Sequence, residues 1–289
     1  MDKNLIQRLF GGALYGIVVI LCTTPLGAKL FDSISPGFLP QHYLYYGLIT
    51  FFLIIAAWEC VKIMKFDPRG WEKYVVFPII ALVFYRFSRR YFNQGFYYNF
   101  NLSEILALSL LVIAVVTLFR FTKELYLDNG KLIFTVIYTV IPFSFALGLP
   151  SFSGSDFSLE VFFLFVLIWS SDSFAYFSGR FFGKHKMAPK ISPKKTWEGF
   201  AGGVLLTLVF SFFIERFHPE LRGNWMIVGF LVSVFAPLGD LVESQLKRSF
   251  GVKDSGNIIP GHGGILDRLD SFIICAPVVY LYFILDNLI

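Results

Sequence analysis

Long apolar stretches alternate with short polar ones along the whole chain. Nine of them, near 11–31, 43–64, 74–88, 103–121, 132–149, 158–178, 199–214, 225–247 and 270–288, are candidate membrane-crossing helices. A helix needs about 20 mostly apolar residues to cross a hydrocarbon core of roughly 30 Å. The third and seventh stretches are short, so their ends are the least defined. The pattern predicts an all-α, polytopic integral membrane protein with about nine transmembrane helices. Composition points the same way: of 289 residues, 56% are hydrophobic and 16% charged, and the mean hydropathy is +0.65. A soluble domain carries far more charge.

Lys3 and Arg8 precede the first apolar run, which is long and lacks a small-residue cleavage site, so it is expected to stay as a signal anchor. With nine spans, all but six of the 25 Lys and Arg residues fall on the side of the N-terminus. That asymmetry predicts a cytoplasmic N-terminus and an outer C-terminus in the cytoplasmic (inner) membrane. The six are Lys29, Arg86, Arg89, Arg90, Arg216 and Arg222, and the three arginines of the third stretch run against the rule. The formal charge of +5 gathers at the inner face, where anionic headgroups or a phosphorylated substrate explain it better than nucleic acid does. Cys22, Cys60 and Cys275 lie in apolar spans without CxxC spacing and read as packing residues.

No internal repeat or soluble domain is evident. The two parts differ in polarity: residues 1–157 read as about five packed scaffold spans facing lipid or a dimer partner. Residues 158–289 put charge inside and just outside about four spans, and an acid at mid-membrane costs roughly 2.5–3.5 kcal/mol even on the lenient insertion scale.

Three clusters carry that charge. In "WSSDSFAYFSGR" (169–180), Asp172 sits about 21 Å along a helix beginning near Ser158, too deep to snorkel. Tyr176 and Gly179, at i+4 and i+7, share its face. Asp172 is either a functional acid or one hydrogen-bonded to Tyr or Ser in a helix contact. In "GKHKMAPKISPKKTWEG" (183–199), Pro189 and Pro193 break any helix, Thr196 is placed to cap the next one, and Glu198 sits in its first turn, where an acid suits the helix dipole. Lys184, Lys186 and Lys190 read as lipid-facing, whereas Lys194 and Lys195, between a proline turn and a helix start, suit a phosphate. The third cluster begins at Pro237, expected to kink its helix, and runs through Asp240, Glu243, Ser244 and Lys247, which form a polar stripe. A loop with Gly251, Gly256, Gly261, Gly263 and Gly264 follows, whose backbone can approach a ligand and point N–H groups at an anion.

The last helix opens with Asp267, Arg268 and Asp270. Asp240, Asp267 and Asp270 offer the oxygen ligands that Mg²⁺ prefers, and two such ions can flank an in-line phosphoryl displacement while lysines neutralise phosphate charge. The alternative is that Asp267 and Asp270 cap the helix and pair with Arg268 and Lys247, with His262 as a turn residue. All three clusters fall at one depth on one side of the membrane.

These residues resemble the phosphatidate cytidylyltransferases, the CDP-diacylglycerol synthases. The long family signature is matched at Ser244, Lys247, Arg248, Lys253, Asp254, Gly256, Pro260, His262, Gly263, Gly264, Asp267, Arg268 and Asp270, and the likeness extends through "SPKKTWEG" and "SDSFAYFSGR" over about 169–271. The resemblance implies that CTP and phosphatidate react with Mg²⁺ to give CDP-diacylglycerol and pyrophosphate. It implies metal binding by Asp240 and Asp267 with Asp270 close by, and a polar pocket of Lys247, Lys253, His262 and Arg268. Ser192, Lys194, Lys195, Thr196 and Glu198 form its other wall. It also implies a homodimer and a K⁺ beside the Mg²⁺. Phe174 departs from the family, which usually carries a small residue there. A CTP-dependent lipid or polyprenol kinase and an ion-coupled transporter are the rival functions. The lack of an inverted repeat and the gathering of polar residues at one face count against the transporter.

Overall fold

The computed structural model describes residues 3–34, 41–93, 102–152, 159–258 and 263–287. In chain order its helices are α1 (Lys3–Thr23), α2 (Pro25–Ile34), α3 (Gln41–Met64), α4 (Glu72–Asn93), α5 (Leu102–Arg120), α6 (Asp128–Gly148), α7 (Leu159–Phe182), α8 (Trp197–Phe217), α9 (Trp225–Ser249) and α10 (Leu266–Asp286). Two short strands, β1 (Lys186–Ala188) and β2 (Ser192–Thr196), lie between α7 and α8.

Seven helices, α3 and α5 to α10, are long and apolar enough to cross a membrane, and α1 with α2 makes an eighth if the bent pair counts as one span. Among the described residues the count is therefore seven or eight, short of the nine expected. The difference lies in α4, whose 22 residues hold Glu72, Lys73, Arg86, Arg89 and Arg90, too much charge for an ordinary lipid-facing span. The first expected span is broken as well: α1 and α2 meet at 85°, where Pro25 opens the second helix. A break at that depth exposes backbone groups that need partners. Gln41 at the start of α3 supplies them, donating to Leu21 O (3.2 Å) and Cys22 O (2.9 Å) and accepting from Ala28 N (2.8 Å).

The expected proline-broken loop is a small antiparallel ribbon, with Lys186 opposite Thr196 and Ala188 opposite Ser192. Thr196 caps α8 as expected, its hydroxyl accepting from Gly199 N at 3.1 Å. Helix α9 runs from Trp225 to Ser249 through Pro237 without interruption.

Small residues bring the last four helices together. A Cβ on Gly199 of α8 would stand 3.0 Å from Gly179 Cα of α7, and one on Gly203 would stand 3.0 Å from Ala175 Cβ. Gly239 does the same for α9 and α10, where a Cβ would lie 2.8 Å from Ser271 Cα. Close backbone approach is how helices gain packing energy in lipid, where no hydrophobic force drives them together. Cys60 and Cys275 are buried free thiols in this packing, and Cys22 is half-buried.

The N-terminal part is fastened to the end of α9 by polar contacts. Lys65 Nζ donates to Phe250 O at 3.1 Å and Tyr126 Oη to Ser249 O at 3.2 Å. Substituting Gly239→Ala should lower stability by about 1–3 kcal/mol through overpacking, whereas Gly16→Ala, where an added Cβ meets nothing within 4 Å, should not. Thermal unfolding of the two variants in detergent compares them directly.

Candidate active site

A cavity of about 900 Å³ opens among α1, α7, the hairpin, α8, α9 and α10. Asp172, Tyr176 and Gly179 line it together, so the predicted shared face of α7 turns into the cavity. Asp172 is exposed to that space, which removes the reading of a buried acid in a helix contact. Phe174 points elsewhere in the bundle, its ring 6.2 Å from that of Phe210.

The hairpin contributes Ser192, Lys194, Lys195 and Thr196 to the wall. Lys195 reaches across to α9, where its ammonium pairs with Asp240 Oδ2 at 2.8 Å and donates to Pro237 O at 2.9 Å. Ser244, one turn on, donates to Asp240 Oδ1 at 3.1 Å. Asp240 is thus held from two sides while its carboxylate still borders the cavity. Asp267, Arg268 and Asp270 of α10 complete the polar end. Four carboxylates and the cations Lys194, Lys195, Arg180 and Arg268 share one space.

Several predicted residues lie beside the cavity without lining it. Lys247 is buried between two acids, pairing with Asp267 Oδ1 at 2.6 Å and with Glu243, itself fully buried. The pairing of Asp267 with Lys247 is the one the helix-capping alternative named. Glu198 does not border the cavity; its carboxylate accepts from the backbone N–H of Lys184 (3.0 Å) and His185 (3.1 Å) and meets His185 Nδ1 at 2.5 Å, fixing the approach to the hairpin. Lys253 is exposed on the loop, and Arg248 turns back to Val252 O at 3.0 Å. His262, with Pro260 and Gly261, lies outside the described residues.

The glycine loop does aim its N–H groups at anions, and in this structure the anions are the protein's own carboxylates. Asp267 Oδ2 accepts from Gly264 N (2.8 Å), Ser255 N (3.0 Å) and Ser255 Oγ (2.8 Å). Gly263 has φ +84°, and a Cβ there would meet Asp267 Oδ2 at 2.6 Å. The left-handed backbone and the close carboxylate both require glycine.

Two contributions escape the sequence reading. Gly11, Gly12, Tyr15 and Gly16 of α1 line the cavity beside Ile168 and Trp169, so the N-terminal part is more than scaffold. The run "GGALYG" carries the signal, since its glycines and tyrosine recur on one helical face. The second is Glu59, fully buried in α3 and the one acid of its apolar run. The rule that flagged Asp172 applies to it equally.

Fold and site define a polytopic membrane protein with a mixed-charge cavity sunk into its helices. Residues 29–285 match the model of the cytidylyltransferase family, and the chain belongs to that family. It is similar to proteins named phosphatidate cytidylyltransferase from Bacillus subtilis (strain 168), 53% identical over 127 residues, 43% of this chain and 46% of that protein, and from Haemophilus influenzae, 51% over 128 residues, 42% and 44%. A protein of the same name from Staphylococcus haemolyticus is 38% identical over 188 residues, 64% of this chain and 70% of that protein. The chain thus matches about half the length of the first two relatives and more of the third.

Removing Lys247 leaves Glu243 buried without its cation. Lys247→Met should therefore destabilise the protein by about 3–5 kcal/mol, and adding Glu243→Gln should recover much of the loss. Chemical unfolding of the single and double variants checks both.

Proposed function

We propose that this chain is a phosphatidate cytidylyltransferase, converting CTP and phosphatidate to CDP-diacylglycerol and pyrophosphate in phospholipid synthesis. The observation that carries the reading is one cavity lined on one side by Gly11, Gly12, Tyr15 and Gly16 of α1 with Ile168 and Trp169 of α7, and elsewhere by charged side chains of α7, the hairpin, α9 and α10. One substrate is lipid with a phosphate head and the other is a soluble polyphosphate, so their meeting place must offer both surfaces.

In this reading the CTP phosphates lie along the hairpin, and the phosphatidate lies with its glycerol end against Tyr15, Gly16 and Trp169 and its head reaching toward them. A phosphate oxygen of the lipid forms a bond to the α-phosphorus of CTP as the bond to the β-phosphate oxygen breaks. Pyrophosphate leaves and no covalent enzyme intermediate forms. Lys194, Lys195 and Arg268 spread positive charge along the phosphates, and such charge counts for more in a site that excludes bulk water. Lys247 acts from behind Asp267 and holds its orientation.

The donor set suits Mg²⁺. The support is chemical: Asp240 and Asp267 offer carboxylate oxygens, the ligands Mg²⁺ takes when phosphate and water complete its shell. Asp240 and Asp267 would hold it, with Asp270 and Asp172 lining the same cavity; K⁺ as a second ion is proposed on the resemblance alone. When bound, the metal supplies neutralisation of phosphate charge. Lys184, Lys186, Lys190, Lys194 and Lys195 in and around the hairpin support a site at the cytoplasmic face of the inner membrane; a cytoplasmic N-terminus with an outer C-terminus rests on the nine-span reading of the sequence alone. A homodimer is proposed on the resemblance alone.

Purified protein in mixed micelles of phosphatidate, given Mg²⁺ and CTP labelled at the α- or the γ-phosphate, tests the activity. Label should enter lipid from the α position only. Transfer of the γ-label identifies a lipid kinase, and no transfer from either position refutes the reading. Asp240→Asn should cut turnover by about 100-fold or more while the protein stays folded; wild-type turnover in that variant would overturn its assignment.

A further inference from the structure

We infer that Glu59, on α3 in the N-terminal part of the chain, is a positioning residue for the reaction, acting on Asp267 through Ser255 and the first N–H groups of α10. This rests on the proposed role of Asp267 as a site acid.

Glu59 is fully buried within an apolar helix, where a carboxylate survives only with a complete set of donors. It receives them from the loop and helix that carry Asp267. Its Oε1 accepts from Ile265 N at 3.2 Å and its Oε2 from Leu266 N at 2.7 Å, with Ser255 Oγ 3.1 Å from Oε2. Helix α10 has no cap from its own side chains, and the opening N–H groups of a helix need an acceptor. Glu59 is that acceptor, its carboxyl oxygens set at the positive end of the helix and delivered from an element some 200 residues away in sequence.

The link to Asp267 is direct. Ser255 Oγ lies 3.1 Å from Glu59 Oε2 and 2.8 Å from Asp267 Oδ2, and Asp267 N reaches the same hydroxyl at 3.3 Å. Ser255 is 3% exposed, so no solvent competes for it. Gly256 and Gly264 make the arrangement possible, because a Cβ at either position would run into the Glu59 carboxylate. Two glycines of the loop therefore serve the approach of an acid from another helix.

Through these contacts α3 sets where α10 begins and how Asp267 faces the cavity. A shift of the helix start by a fraction of an ångström moves Asp267, Arg268 and Asp270 together. Residues that orient ligating groups typically matter by 10- to 100-fold. Their cost appears in turnover because the reacting geometry is what they set.

The test uses full-length protein with Glu59→Gln, Ser255→Ala and the double variant. Glutamine keeps the size of Glu59 but turns one acceptor into a donor, so at least one of the N–H groups of Ile265 and Leu266 loses its partner. The inference predicts that kcat falls about 10- to 100-fold in Glu59→Gln while KM for CTP and for phosphatidate changes less than about threefold. The amides of 255–266 should exchange hydrogen faster, with the rest of the protein unchanged. The double variant should lose little more than the worse single, since both act through one link.

Wild-type kcat in Glu59→Gln, additive losses in the double variant, or unchanged exchange at 255–266 each overturns the inference. Should Glu59→Gln fail to fold, Ser255→Ala decides alone, with the same fall in kcat and the same local exchange required. Failure of the parent reading is seen separately, as no α-label transfer by the wild type or full activity in Asp267→Asn; hydrogen exchange still reports the Glu59 contact in that case.

Discussion

A charge inside an apolar slab has to be paired, and the polar end of this molecule is organised around one such pairing. Lys247 sits between Glu243 and Asp267, and all three lie on α9 and α10, whose backbones meet at Gly239. Lys247 is 8% exposed and Glu243 not at all, so neither charge can turn to water. Each fixes the other, and together they fix Asp267 at the edge of the cavity. Asp240 is treated the same way one turn earlier on α9, with Lys195 of the hairpin as its cation and Ser244 as a neutral donor. The cavity thus has rigid acids on one helix pair and a ribbon of lysines facing them.

The same constraint explains why the N-terminal part cannot be a passive scaffold. A buried acid in the last third of α3 needs a set of partners, and they come from the glycine loop and α10. Helix α1 adds a glycine-rich wall to the cavity. One cavity wall and the acceptor at the start of α10 therefore both come from the N-terminal part of the sequence.

Much of the site was legible because charge in an apolar run is a strong signal. Asp172, Asp240, Asp267 and Asp270 were found this way, and all four line one cavity; the stripe of Glu243, Ser244 and Lys247 reads correctly as a buried face. What pattern could not reveal was direction. Lys247, Glu198 and Arg248 sit beside the cavity and bind other parts of the chain instead of facing it, because a helical wheel gives the side of a helix and says nothing of what is packed there. The glycine loop was read as a cradle for a ligand, whereas Gly256, Gly263 and Gly264 first serve internal carboxylates. The nine candidate stretches exceed the seven or eight spanning helices at α4, whose short apolar stretch 74–88 is closed by Arg86, Arg89 and Arg90.

The central claim is that one cavity joins a nucleotide side at the hairpin to a lipid side at α1. Single cysteines at Lys194→Cys and Gly16→Cys, both cavity-lining positions, allow a direct measurement when the three native cysteines are replaced by alanine. The rate of maleimide labelling is followed in lipid nanodiscs with and without Mg·CTP or phosphatidate. The account predicts that Mg·CTP protects the cysteine at 194 and phosphatidate the one at 16, each leaving the other position largely open. Labelling rates at both positions that neither substrate alters would contradict it.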